Sequence, residues 1–274
     1  MKKSNIFHPF VLCFAILFLV ACPSDIPPPK NLVEDPAQMR SAITARSESL
    51  QSVRFKEVIL EYFGKGERVK IRQLILVKKP TMLRVQTRVP GSEEILSLLV
   101  SDGDQFAMHR RDTNEYFHGT ATPKNIGMLL PVNLSAADLV RVLFGGAPWD
   151  RFDNFSQSAP TLSWDRKVGN YLYKVQSAEN SLEMSIRPTD FAVTEVRERN
   201  KKGEIVYKYR TDDWEKTNSS VLLPSWIRFV WPNRDLDFSL TVRETQTNVD
   251  LPDILFKLEP PGGSRVIDVD SSHR

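Results

Sequence analysis

Residues 58–77 read VILEYFGKGERVKIRQLILV. Apolar and polar side chains alternate with a period of two on both sides of the turn Gly64-Lys65-Gly66-Glu67, and this alternation is typical of β-strands. The stretch therefore predicts a long β-hairpin, with strands over residues 53–63 and 69–77, in a protein built mainly from antiparallel strands.

More strands are predicted after this hairpin. Pro80 interrupts the alternation, which resumes over residues 82–87, and strands over 95–100 and 105–109 flank the turn Asp102-Gly103. A second series is predicted at 162–166, 171–176, 182–187, 192–197, 205–210, 222–231 and 236–243. Because a flat sheet of this size would leave an apolar face uncovered, we expect strong curvature.

Three helices are predicted, one before the first strands and two in the middle of the chain. Asp35-Pro36-Ala37-Gln38 provides an N-cap and a proline at the first helical position, so a helix is expected over residues 36–51. A short helix is expected over residues 123–130, and Ser135 opens another that Gly145-Gly146 ends, followed by a loop over 147–160. The helix after Ser135 is almost wholly apolar, so we expect it to lie against the concave face of the sheet.

The N-terminus carries a targeting pattern. An apolar run over residues 10–21 follows Lys2 and Lys3, and its twelve residues are fewer than the roughly 20 that span a bilayer. Leu19-Val20-Ala21-Cys22 resembles the lipobox of bacterial lipoproteins, in which the cysteine is diacylated and becomes the first residue. The resemblance implies a signal peptide over 1–21, lipidation at Cys22, a Pro-rich tether over 22–34 and a domain over 35–274; an ordinary signal peptide is the alternative.

Composition excludes several function classes. Removing residues 1–21 leaves 253 of the 274 residues, and the formal charge falls from +3 to about +1, so nucleic acid is not an expected partner. The two cysteines are Cys13 and Cys22, which leaves the domain without a disulfide or a thiolate metal site. His109 falls on the predicted strand 105–109 and His118 on a neighbouring strand candidate, and we interpret both as solvated surface residues. No catalytic or phosphate-binding motif occurs. We therefore expect no catalysis, no metal and no cofactor.

The order of elements resembles the LolA/LolB superfamily. Residues 82–92 and 94–96 look like the strand, protruding loop and strand of the LolB outer-membrane receptor. Residues 131–146 look like its lid helix, and residues 251–262 are similar to the closing strand and Pro-Gly tail of LolA-like proteins. The resemblance implies an α+β, mainly β fold: a half-closed antiparallel β-barrel of about eleven strands, with helices as a lid over an apolar cavity.

The protruding loop departs from the family pattern. The LolB receptor exposes a leucine just before the glycine of this loop, whereas here Pro90 precedes Gly91 and Val89 is the nearest aliphatic residue. Arg88, Glu93 and Glu94 flank it, so we expect weaker insertion of this loop into a membrane.

The resemblance implies a set of ligand-binding residues. The expected cavity residues are Phe55, Ile71, Ile75, Leu83, Val85, Leu96, Leu98, Phe106, Trp164, Tyr207, Trp226 and Phe229. The expected lid residues are Leu139, Val140, Leu143 and Phe144.

Two functions follow from this resemblance. One is a LolB-like lipoprotein, attached through Cys22 to the periplasmic face of the bacterial outer membrane. It accepts acyl chains of lipoproteins or lipids and has a periplasmic LolA-like carrier as a further expected partner. The other is a sensor or scaffold of the envelope whose cavity is filled by its own side chains.

Overall fold

The computed structural model describes residues 25–64, 66–89, 91–129, 132, 134–155 and 158–271. In this part of the chain fifteen strands form one sheet with four α-helices, which confirms the mainly β composition. The strands are β1 (Ser52–Gly64), β2 (Glu67–Lys78), β3 (Met82–Arg88), β4 (Ile95–Ser101), β5 (Gln105–Arg110), β6 (Glu115–Thr120), β7 (Thr161–Asp165), β8 (Asn170–Gln176), β9 (Asn180–Ile186), β10 (Val193–Asn200), β11 (Ile205–Lys216), β12 (Leu222–Trp231), β13 (Leu236–Val242), β14 (Thr245–Thr247) and β15 (Arg265–Asp268). The helices are α1 (Pro36–Ala45), α2 (Pro123–Leu129), α3 (Ala136–Leu143) and α4 (Trp149–Phe155).

Two antiparallel meanders share the sheet, whose strand order is β15-β6-β5-β4-β3-β2-β1-β13-β12-β11-β10-β9-β8-β7, with β14 paired to β1. The meanders join where β1 pairs with β13, and β15 adds to β6 in parallel. Among the described residues the edge strands β7 and β15 do not pair with each other, and a barrel requires that closure. The expected half-closed barrel of about eleven strands is therefore confirmed only in part: the described residues form one open sheet, and this sheet has fifteen strands. Beyond the twelve predicted ranges, β6 contains the strand candidate around His118, and β14 and β15 have three and four residues, too few to show an alternation.

The predicted hairpin over residues 58–77 is confirmed as β1 and β2. Phe63 pairs with Arg68 and Gly64 with Glu67. Gly66 has a φ of +78°, a left-handed conformation in which a Cβ would be strained. The side chains that alternate along these strands divide the sheet into two faces, and we call the face that carries α3 and α4 the inner face.

Helix α1 begins as predicted and ends earlier. The Asp35 carboxylate accepts a hydrogen bond from Ala37 N at 2.9 Å, which is the expected N-cap. After Ala45 the backbone bonds change to the tighter spacing of Ser47 N to Thr44 O and Glu48 N to Ala45 O. The helix therefore stops near residue 45 instead of 51, and Leu50 turns into the core.

Helix α4 lies where a loop was predicted, over residues 147–160. Its first backbone N–H groups, those of Asp150 and Arg151, donate to the Asp138 carboxylate at 3.1 and 2.9 Å. The acceptor belongs to α3, twelve residues away, so the local sequence of α4 carries no capping signal.

The C-terminal segment covers the outer face. Residues 251–258, expected as the closing strand, instead contain a short 3-10 turn, and the last strand comes later as β15. Pro252, Pro260 and Pro261 lack the N–H that a sheet ladder requires. The segment is held through its carbonyl groups, by Arg84 Nη1 to Leu255 O at 2.8 Å and Tyr116 Oη to Leu258 O at 2.6 Å.

Part of the stretch expected as a tether lies along the sheet edge. Ile26 N donates to Arg166 O at 2.7 Å, and Trp164 Nε1 donates to Ile26 O at 2.9 Å. Val33 N donates to the Tyr171 hydroxyl at 3.2 Å. Within the described residues, none of the helices combines the length and the apolar character needed to cross a bilayer.

Candidate functional site

An apolar pocket lies between α3 and the sheet, and we call it the inner pocket. Eleven of its twelve lining residues are apolar, and the other is Gln73. The strands contribute Leu60, Gln73, Ile75, Leu83, Val85, Phe229, Phe238 and Leu240, and the helical side contributes Val132, Leu139, Val142 and Leu143. The space open to the centre of a water-sized sphere is only about 50 Å³, so α3 nearly fills the pocket.

A larger groove continues from the inner pocket toward the β1–β2 turn, and we call it the outer groove. It offers about 460 Å³ by the same measure, within the roughly 300–1,000 Å³ usual for ligand sites. Its lining residues are Leu60, Tyr62, Val69, Ile71, Gln73, Val85, Thr87, Leu96, Ser97, Leu99, Met108, Gly127, Trp231, Arg234 and Leu236. Leu60, Gln73 and Val85 line both spaces, so the inner pocket and the outer groove adjoin each other.

The C-terminal end of α3 is fixed by a buried arginine. Arg46 Nη1 donates to Phe144 O at 3.0 Å, and its Nη2 donates to Leu222 O on β12. Burial lowers the pKa of Arg46, and Asp190 at 3.6 Å partly offsets this effect. This contact ties α3 to the end of α1 and to the sheet.

The N-terminal end of α3 is fixed by a buried carboxylate. Asp138 is 1% exposed and accepts hydrogen bonds from the two α4 N–H groups and from Arg141 Nη1 at 2.8 Å. Burial, and then the negative charge of Asp150, raise the pKa of Asp138 to about 6. A buried carboxylate of this kind is also a candidate catalytic acid. Its three bonds to neighbouring helical groups instead give it a structural role, joining α3 to α4.

The other half of the inner face is filled by aromatic rings. Trp149 and Phe152 of α4 meet Tyr173 of β8 edge to face, with ring centroids 5.7 and 5.8 Å from Tyr173. Tyr207 and Tyr209 of β11 are fully buried, and the Arg151 guanidinium of α4 lies over the Tyr207 ring at 4.5 Å. The two tyrosine hydroxyl groups have no hydrogen-bond partner among the described residues.

The structure gathers only part of the predicted cavity set. Ile75, Leu83, Val85 and Phe229 line the inner pocket, while Ile71 and Leu96 line the outer groove. Phe55, Phe106 and Tyr207 lie elsewhere in the core, and Trp164 meets Tyr171 edge to face at the β7 edge. Leu98 packs on the outer face, and strand alternation also places Trp226 there, because it is adjacent to the inward Ile227.

The predicted lid residues divide between two sides of α3. Leu139 and Leu143 face the inner pocket, whereas Val140 and Phe144 face a cleft on the α1 side that Ile43 also lines. In the predicted protruding loop, Val89 N donates to Glu94 O at 2.8 Å, which closes the turn between β3 and β4. Pro90 and Cys22 lie outside the described residues.

The lining residues that sequence reasoning missed are mostly strand positions in phase with predicted ones. Leu60 and Gln73 are examples: Gln73 lies two residues from both Ile71 and Ile75 and so shares their face. The alternation alone places the polar Gln73 on the inner face, so the sequence did contain a signal for this residue. Val132 precedes α3, and no periodic pattern in the sequence marks it.

The two histidines lie on the outer face. His109 Nε2 is 3.1 Å from Asn114 Oδ1, and His118 lies beside the Tyr116 ring at 5.9 Å between centroids. Within the described ranges, no cluster of three or more His, Cys, Asp or Glu side chains is arranged to hold a metal ion.

Comparisons with known proteins give structural relatives only. No protein-family model and no curated sequence matches the chain. A DUF1329 family protein from Desulfovibrio piger superposes with a TM-score of 0.61 at 11% identity, over 82% of this chain and 98% of that one. A LolA superfamily protein from Nitrosomonas europaea gives a TM-score of 0.55 at 13% identity, over 83% and 99%. A Vibrio parahaemolyticus domain named for outer membrane lipoprotein sorting gives 0.54 at 7% identity, over 80% and 94%. The chain has a LolA/LolB-like fold.

Proposed function

We propose that the chain is a lipid-anchored lipoprotein of the bacterial envelope that binds acyl chains of lipoproteins or lipids in the inner pocket and outer groove. Its role is LolB-like, in the localisation of outer-membrane lipoproteins, and it uses no covalent chemistry and no cofactor. The names of the Nitrosomonas and Vibrio proteins, which share the fold, support this class of function.

The carrying observation is the mainly apolar lining of both the outer groove and the inner pocket, which share Leu60 and Val85. An apolar side chain in a core typically stabilises the fold through its contacts with the atoms around it. The residues that line a groove of 460 Å³ lack such contacts on the side that faces the groove. An acyl chain supplies them, at about 0.8 kcal/mol for each methylene removed from water.

Uptake into the inner pocket requires α3 to move. The 50 Å³ beneath α3 holds at most a few water-sized groups, so an acyl chain enters only when Leu139 and Leu143 withdraw. We propose α3 as the lid, with Asp138 and Arg46 holding its two ends in the closed state described here.

The location belongs to the same proposal. Acylation of Cys22 would hold the chain at the periplasmic face of the outer membrane, where a LolA-like carrier delivers lipoproteins. Two or three acyl chains anchor a protein almost irreversibly, and the turn at Val89 adds little apolar surface.

A second function is favoured by the small volume of the inner pocket. A sensor or scaffold of the envelope, with its cavity filled by its own side chains, would keep α3 closed permanently. Lipid that copurifies with the protein separates the two functions.

The deciding experiment is mass spectrometry of lipids extracted from a soluble form lacking residues 1–22. Acyl lipids in near-stoichiometric amount support the lipid-binding function. A folded, lipid-free protein that also fails to bind an added fluorescent diacylglycerol supports the scaffold.

Anchoring is tested separately with Cys22→Ala. We expect this variant to leave the membrane fraction and remain folded, because Cys22 precedes the domain. Recovery of the variant in membranes after a high-salt wash would contradict lipidation at this position.

A further inference from the structure

Three polar side chains cross the apolar inner face in one row. Gln73 on β2 pairs in register with Thr87 on β3, and Thr87 pairs with Ser97 on β4. The neighbouring row on the inner-pocket side is Ile75, Val85 and Leu99, paired in the same way and wholly apolar. We call Gln73, Thr87 and Ser97 the polar row.

The polar row lies at the junction of the two spaces. Gln73 lines both the inner pocket and the outer groove, while Thr87 and Ser97 line the groove. Gln73 is 5% exposed and Thr87 is 7% exposed, so both are held away from bulk water.

The row has unused hydrogen-bonding capacity. Gln73 Nε2 donates to Thr87 Oγ1 at 3.2 Å, and within the described residues neither side chain makes a second hydrogen bond. An amide offers two N–H donors and a carbonyl, and each hydroxyl offers one donor, so the row retains donors that face the cavity. Burying such groups without partners is unfavourable, and apolar residues would fill the site better if it were only core.

Because the polar row carries no charge, it favours neutral polar groups of a lipid over charged ones. The next residue in register, Arg110 on β5, is paired with Asp112 at 3.0 Å, and Arg234 of the groove lies beyond β1 and β13 in the strand order. A free carboxylate placed at the row would lose its hydration without gaining a counter-charge, whereas an ester carbonyl needs only a neutral donor.

We propose that the polar row binds the ester carbonyl groups that join acyl chains to a glyceryl unit. The chains extend into the inner pocket, and the glyceryl unit with its head group remains in the outer groove. This inference rests on the proposed function and specifies its ligand class as acyl esters, which bind in preference to free fatty acids.

The test compares ester and ether lipids on the full chain purified in detergent. The probes are a fluorescent diacylglycerol and the dialkyl ether with the same chains and fluorophore, and each affinity is corrected for that probe's own measured partition into the detergent. We expect the ester to bind about five to ten times more tightly, the effect of one net hydrogen bond.

The variants are Gln73→Leu with Thr87→Val, and Thr87→Val alone, which keeps the side-chain shape and changes folding least. Both should bring the ratio close to one by weakening ester binding and sparing the ether. Gln86→Leu is the matched control, because Gln86 is adjacent to Thr87 on β3, faces outward and pairs with Leu74 and Leu98. It should keep the ratio of the unmodified chain.

The outcomes separate the two proposals. Equal binding of ester and ether by the unmodified chain, or a ratio that the double variant leaves unchanged, overturns the ester inference and leaves acyl binding intact. Failure of both probes to bind overturns the proposed function and the inference with it.

A second arm identifies the source of the ester. A diacylated cysteine peptide and a phosphatidylethanolamine with the same chains are each compared with their ether analogues. An ester preference for either ligand supports the row and names its source as lipoprotein or phospholipid. No preference for either ligand overturns the proposal.

Discussion

The inner face of the sheet is filled on one side and open on the other. Under α4, the Tyr173 ring of β8 meets Trp149 and Phe152 at 5.7 and 5.8 Å between centroids, and Arg151 of α4 lies over the Tyr207 ring of β11 at 4.5 Å. Under α3, strands β1–β3, β12 and β13 present mostly aliphatic side chains. These side chains do not fill the space, and they line the inner pocket and the outer groove. We call these regions the filled half and the open half.

The inner face of one sheet can therefore carry both a packed core and the proposed ligand site. Edge-to-face rings interlock and exclude further groups, so the filled half stabilises the domain. Branched aliphatic residues opposite a single apolar helix leave room when the helix shifts. The proposed ligand site therefore lies in the open half, and neither Tyr207 nor Trp164 lines it.

The largest expected effect comes from removing a ring in the filled half. Phe152→Ala should lower the free energy of unfolding by about 3–5 kcal/mol, because it empties a site that neighbouring rings cannot close. Binding of the ester probe by the remaining folded protein should not change. Chemical denaturation followed by circular dichroism measures the first effect, and a titration with the probe measures the second.

Phe229→Ala is the matched control in the open half. Phe229 is as buried as Phe152, at 2% exposure, and lines the inner pocket. This variant should alter the affinity for the probe, since it enlarges the pocket. Altered binding in Phe152→Ala and unaltered binding in Phe229→Ala would reverse the assignment of the two halves.

A smaller effect is expected from Asp138, at the boundary between the halves. Its folded pKa of about 6 lies above the ordinary 3.8, so the folded state retains a proton that the unfolded chain releases. The linked contribution to stability is present at pH below about 4, decreases as the pH rises to about 6, and is at most roughly 3 kcal/mol.

Replacing the Asp138 carboxyl tests the direction of this pH dependence of stability. Asp138→Asn should remove this fall in stability between pH 4 and 6, although it also weakens the bonds to Asp150 N and Arg151 N at every pH. Denaturation curves of both proteins across this range give the difference. A gap between the two proteins that stays constant with pH would show that Asp138 titrates normally.

Leu143→Glu tests whether the open half really opens. Leu143 faces the inner pocket, and a carboxylate there is unfavourable unless it reaches water. If α3 moves outward, the charge becomes hydrated, so stability should fall by only about 1–2 kcal/mol while probe binding is lost. Leu143→Met keeps an apolar side chain of similar size and should retain binding.

Unfolding of the Leu143→Glu variant would be equally informative. If Leu143→Glu loses its strand circular dichroism together with binding, α3 is a fixed part of the core. That result would contradict the lid and favour the scaffold function.

The sequence predicted most strands because their cause is local. Alternation in residues 58–77 specifies both strands and the inward phase, and Asp35 marks the start of α1 by its own side chain. Helix α4 was missed because its capping carboxylate, Asp138, comes from another helix. The open or filled state of each half was also missed, since it depends on which residues meet across the sheet.

The candidate site shows the same limit. Ile75, Leu83, Val85 and Phe229 were predicted from their apolar character and the family resemblance, and they do line the inner pocket. Trp226 was chosen for its aromatic ring alone, although its neighbour Ile227 points inward, and alternation would have excluded it. Gln73 was passed over because a polar residue on an apolar face becomes meaningful only when its partner Thr87 is known.

The smallest effect is expected outside both halves. His109→Ala with His118→Ala should change stability by less than about 0.5 kcal/mol, because both side chains lie on the outer face. His109 loses only its contact with Asn114, and the Asn114 Nδ2 bond to Gly263 O at 3.0 Å still holds the C-terminal segment. The ester-to-ether affinity ratio should stay that of the unmodified chain, because neither histidine lines the inner pocket or the outer groove. A folded double variant that loses probe binding would place a functional group on the outer face, and the division into a filled and an open half would then no longer account for the ligand site.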